Sequence, residues 1–154
     1  MSSDLAKKKK AEAYYKKYLK LIYKKLGNGI TYADDLTTLG MTLFGSLFKG
    51  VYSADTIPKL NKGEFIIVNN EPKSKSGEHW LLAVKTHSNK VYLYDSFGRK
   101  HYRILPTLNQ SGNGAVIDTE NDPEQQMIQE DCGQRCLAAA MVYHNLGGSY
   151  FKWI

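Results

Sequence analysis

Residues 80–95, WLLAVKTHSNKVYLYD, decide the fold. Two runs rich in β-branched and aromatic residues, 80–86 and 91–95, flank the turn-like His87-Ser88-Asn89-Lys90, which is the pattern of a β-hairpin. A run of the same kind, EFIIVN at 64–69, comes before it, so a sheet with at least one hairpin is expected. Working outward, residues 115–119 predict one more edge strand, and 109–113, with Gly112, a loop ahead of it. Beyond the polar run 120–126, the Ala- and Leu-rich stretch from Cys132 to about Leu146 ends at Gly147-Gly148. This predicts a buried helix with Cys132 in its first turn and Asp131 as its N-cap. On the amino-terminal side, Tyr15, Leu19, Ile22 and Leu26 recur at helical spacing before Gly27 and predict an amphipathic helix over 4–26. Residues 27–63 are punctuated by Gly27, Gly40, Gly45, Gly50, Gly63 and Pro58 and predict short helical turns and loops. The class is α+β.

Length and composition fit one compact domain: 154 residues, 42% of them hydrophobic, without the long apolar run a membrane helix needs. The start carries a lysine run and no apolar block of a signal peptide, so a soluble, non-secreted protein without a membrane partner is expected; it is taken to be a monomer. The charge of +6 is uneven. Residues 1–26 hold nine lysines against Asp4 and Glu12, a local +7, leaving 12 basic and 13 acidic residues in 27–154. The chain therefore divides into a basic helix, 1–26, and a nearly neutral body, 27–154. A polyanion is expected to meet the helix, whose lysines are interleaved with Tyr14, Tyr15 and Tyr18.

Two cysteines, one helical turn apart, form neither a disulfide framework nor a zinc site, and no metal is expected. A thiol becomes a nucleophile as thiolate, which a nearby imidazole and a helix amino terminus both favour. Cys132 has the second by position. Gly133 beside it is expected to let a substrate backbone approach. His79 opens a predicted strand, and Asp95 ends the neighbouring one, so pairing brings them together as base and orienting acid. The glutamines just before Cys132 are neutral amides suited to an oxyanion. Asp131 as a free carboxylate would oppose thiolate formation, hence its expected role as a cap. Cys136 is expected to be an inert core residue, and His87, His101 and His144 surface or helix-end residues.

The blocks Gly77-Glu78-His79-Trp80, Tyr94-Asp95-Ser96-Phe97-Gly98, Gln126 and Asp131-Cys132-Gly133 resemble, in that order, those of the adenain and SUMO-protease superfamily of cysteine proteases. The resemblance covers roughly residues 39–146. It implies a papain-like core in which a mixed sheet packs on the helix bearing Cys132. It also implies catalysis by Cys132, His79, Asp95 and Gln126, with Trp80 against the substrate cleft and no cofactor. The SUMO-protease spacing selects Gln126 as oxyanion donor, and adenain's selects Gln125; the flanking Gln-Gln-Met and Asp-Cys-Gly favour Gln126. Asp95 matches SUMO proteases, whereas adenain has Glu. The chain lacks adenain's cysteine that joins a peptide activator, which argues against activation by that route.

The short length and the adenain-like approach to the histidine, Leu39-Gly40, Phe48-Lys49-Gly50-Val51 and Ile67-Val68-Asn69, favour a viral maturation endopeptidase, of a virophage or related DNA virus. The resemblance implies that it cuts capsid or other virion precursors at small-residue, Gly-containing sites, in the host cytoplasm and virion. By the same analogy the basic helix, through Lys7, Lys8, Lys9, Lys10, Lys16 and Lys17, is expected to bind DNA, with DNA as a stimulating partner. Two rivals remain open: a deconjugase of ubiquitin-like modifiers using the same residues, and an inactive nucleic-acid-binding module.

Overall fold

Five strands, β1 Phe48–Tyr52, β2 Phe65–Asn69, β3 Trp80–His87, β4 Lys90–Tyr94 and β5 Ala115–Asp118, lie side by side in sequence order in a computed structural model that describes residues 2–71, 79–120, 123–125 and 130–154. The hairpin β3/β4 and the pair β2/β3 are antiparallel, while β1 and β5 are added parallel at the two edges, so the sheet is mixed. β2 and β3 are buried along nearly their whole length because both faces of the sheet are covered. Alternate residues then feed two cores: Phe65, Ile67, Leu82, Val84 and Tyr94 on one face, Ile66, Val68, Leu81, Ala83 and Leu93 on the other.

The first face is covered by helices. Helix α4, Cys132–Leu146, is buried along its Cys136–Ala140 stretch, and α1, Ser2–Leu26, packs Ala11, Tyr15, Tyr18, Leu19 and Ile22 into the same core. The amino-terminal helix is thus part of the body. The second face is covered by irregular chain and a 3-10 turn, Pro106–Gln110, through Leu60, Leu105 and Leu108. That turn takes up the start of the 109–113 segment expected to be a loop.

The larger correction concerns residues 27–63. In place of short turns and loops the chain forms a three-turn helix, α2 Ala33–Phe44, followed by a 3-10 turn and the edge strand β1. Gly40, taken from the sequence as a break, sits inside α2 on its buried stripe with Leu36 and Phe44. A Cβ there would come within 2.4 Å of the Phe48 ring, so glycine permits the helix to lie against β1. No described helix is long and apolar enough to cross a membrane.

Candidate active site

His79 immediately precedes β3, held by a backbone hydrogen bond from Asn70 N–H to its carbonyl at 3.1 Å. The β3/β4 register sets Leu82 against Tyr94, so its continuation puts Asp95 opposite Leu81. Leu81 shares its side of the sheet with His79 two residues earlier. The two polar side chains therefore emerge together, and His79 Nε2–H donates to Asp95 Oδ1 at 2.6 Å, both groups buried. Phe97, in the turn closed by the Gly98 N–H to the Asp95 carbonyl, stacks on the imidazole with centroids 4.9 Å apart.

Asp95 is held from every quarter. Phe97 N–H donates to Oδ1 at 3.1 Å, and Arg99 gives Oδ2 its backbone N–H at 3.0 Å and its Nε–H at 2.8 Å. Burial alone would raise the carboxyl pKa, but the hydrogen bonds from His79 and Arg99, with their charges, bring it down to about 2. For His79, burial favours the neutral ring, yet the hydrogen bonds to Asp95 and Cys132 and their charges outweigh it and raise the pKa above the ordinary imidazole value. The shifts of the two partners agree in sense: each stabilises the other's charged form.

With Nε2 turned to Asp95, Nδ1 is the ring nitrogen left for the Cys132 sulfur. Cys132 is the first residue of α4, and its Sγ also accepts the Trp80 backbone N–H at 3.4 Å. The imidazole and carboxylate are thus bonded directly, and the sulfur lies at a helix amino terminus, beside the peptide N–H that follows the imidazole. Cys132 is 8% exposed and Cys136 fully enclosed. Burial, then the nearness of Cys132 and Asp95, pushes the Cys136 thiol well above its ordinary range.

The half-buried Trp80 donates its indole N–H to the Thr31 carbonyl at 3.1 Å, tying the segment ahead of α2 to the sulfur's neighbourhood. Gln134 fastens the same segment, donating to the carbonyls of Gly27 and Gly29 at 2.9 and 2.8 Å. Gly133 faces that segment: a Cβ on it would lie 2.1 Å from Thr31 Oγ1 and 2.9 Å from Leu36 Cδ2. Internal packing thus calls for glycine at this position. Asp131 occupies the N-cap position but makes no capping bond, its carboxylate turning instead to Arg135 and Tyr23.

Gln126, like the Gly77-Glu78 part of the histidine block, lies outside the described residues. Gln125 is described and buried: its side-chain oxygen accepts the Ser96 hydroxyl and its backbone N–H donates to the Ser96 carbonyl at 2.9 Å. His87 and His144 are exposed, and His101 opens α3, His101–Ile104, paired with Asp118 at 3.0 Å. No group of three or more His, Cys, Asp or Glu suited to a metal occurs among the described residues.

Sequence reasoning missed Arg99, the Trp80 peptide N–H and the Thr31 segment. Arg99 had a local signal, standing four residues after Asp95; the other two depend on contacts across 52 and 49 positions. The lysines Lys7, Lys8, Lys9, Lys10, Lys16 and Lys17 all lie on α1. Lys8 pairs with Glu120 at 3.0 Å, Lys7 and Lys10 lie over the Tyr150 ring, Lys17 lies over Tyr14, and Lys9 and Lys16 are exposed.

No protein-family model matches the chain, and no curated protein is significantly similar to it.

Proposed function

We propose that this protein is a cysteine endopeptidase with the papain-like core of the adenain and SUMO-protease type. The observation that carries the proposal is one imidazole, His79, hydrogen-bonded at 2.6 Å to a buried carboxylate and near enough to Cys132 for that residue to help raise its pKa, while the Cys132 sulfur accepts the N–H of the next residue, Trp80. In this reading Nδ1 of His79 takes the thiol proton and the thiolate attacks the scissile carbonyl carbon. The Cys132 N–H, which has no intrahelical acceptor at a helix start, and the Gln126 amide hold the oxyanion. Gln126 is preferred to Gln125 for that task on the SUMO-protease spacing and the flanking Gln-Gln-Met and Asp-Cys-Gly. The imidazolium then protonates the departing amine as the C–N bond breaks and leaves a thioester. A water, losing its proton to His79, attacks the thioester; the acid product leaves and the thiol is restored.

The substrates of this reading are virion precursor proteins cut at Gly-containing sites in an infected cell. We further propose that the exposed lysines of α1 contact DNA, which would hold the enzyme near a packaged genome. The test is incubation of a Gly-containing peptide library and a candidate capsid precursor with wild type and with Cys132→Ala, new termini being located by mass spectrometry. New termini made by wild type alone are expected. None from wild type, with Cys132 captured by a ubiquitin-like electrophilic probe, would overturn the endopeptidase in favour of a deconjugase.

A further inference from the structure

Behind Cys132 runs a buried polar chain that the proposed reaction does not use. Asp131, the residue just before the nucleophile, is 2% exposed, and a bare carboxylate there would oppose an anionic sulfur. It is not bare. Arg135 Nε–H donates to both of its oxygens at 3.1 Å, and the Tyr23 hydroxyl of α1 donates to Oδ2. Arg135 Nη1–H continues to the Tyr15 hydroxyl at 3.3 Å, which pairs with the Tyr94 hydroxyl of β4 at 2.8 Å. Among the described residues, Glu12 and Lys16 of α1 and Glu124 line, together with Arg135, a cavity of about 430 Å³. On the sulfur's side stand His79 with Asp95 and Arg99 behind it, and Cys136 one turn along α4.

A buried ion pair is a poor source of stability, because desolvation offsets its Coulombic gain. Placed one residue from the nucleophile, this pair has an electrostatic task. Resting on the peptidase reading, we propose that Arg135 and Tyr23 are positioning residues that cancel the Asp131 charge beside Cys132 and fix the first turn of α4 against α1. The amino-terminal helix is thereby part of the catalytic apparatus. Burial and the Asp131 contact push the Tyr23 hydroxyl up to about 12, so it stays a donor to the carboxylate through the working range.

The test uses the full chain and reads iodoacetamide alkylation of Cys132 by peptide mapping from pH 4 to 10. Arg135→Gln should move the midpoint up by about one unit, slowing alkylation about tenfold at pH values below it. Asp131→Asn combined with Arg135→Gln should return it near wild type, since the charge needing cancellation is gone. Tyr23→Phe should shift it the same way by less, and serves if Arg135→Gln does not fold. An unmoved midpoint in both single variants, or a shift that persists in the double variant, would overturn the proposal. Were wild-type alkylation unaffected by His79→Ala, the peptidase reading itself would fall with it; a His79-dependent midpoint that ignores Arg135 and Tyr23 sinks this inference alone.

Discussion

Asp95 is paired with two cationic partners at once, His79 and Arg99. Its carboxyl is held near pH 2 against an ordinary 3.8, so the stability it lends is present above about 4 and lost as pH falls toward 2. That contribution is roughly 2 kcal/mol by linkage. For His79 the sign is opposite: its folded pKa is raised, so its share is present below the ordinary imidazole value and lost as pH rises through the folded one. Urea unfolding at pH 7 and pH 2 should show a smaller acid loss in Asp95→Asn than in wild type. On the proposed reading the same substitution leaves the imidazole without its orienting acceptor, and kcat/KM should fall on the order of 100-fold or more. At this scale much of the site was legible, because imidazole, carboxylate and thiol are chemically conspicuous and their local blocks are short. The partners of Asp131 were not: the Tyr23 hydroxyl reaches it across 108 positions, and only folding brings α1 to the start of α4.

Among the elements, the hairpin, the edge strand β5 and helix α4 were legible because each is coded by its own periodicity and punctuation. Helix α2 was not, because the glycine that allows it to approach Phe48 looks locally like a break. Such a glycine answers to a neighbour that the sequence does not place beside it. Gly40→Ala drives a methyl into the Phe48 ring, and Gly133→Ala drives one into Thr31 and Leu36; each should cost about 1–3 kcal/mol in urea unfolding. The two differ in consequence. Gly133→Ala also displaces the first turn of α4, so on the proposed reading activity per folded molecule should drop. Gly40→Ala, away from that turn, should lose stability with little change in activity per folded molecule.

At the scale of the whole molecule, α1 was expected as an amphipathic basic helix that meets a polyanion, and its apolar stripe contributes five residues to the principal core. A chain starting at residue 27 should therefore lose its cooperative unfolding transition by circular dichroism, so such a truncation says nothing about DNA binding. Charge reversal of Lys9, Lys16 and Lys17, whose side chains are exposed, keeps the apolar stripe intact. It should weaken DNA binding and flatten its salt dependence, with the fold preserved. The central claim is that sulfur and imidazole form one unit, and the most direct measurement is the ¹⁵N NMR titration of the His79 ring in wild type and in Cys132→Ala. A midpoint above the ordinary imidazole value that drops when the sulfur is removed is the predicted result. A ring that titrates identically with and without Cys132 would contradict it.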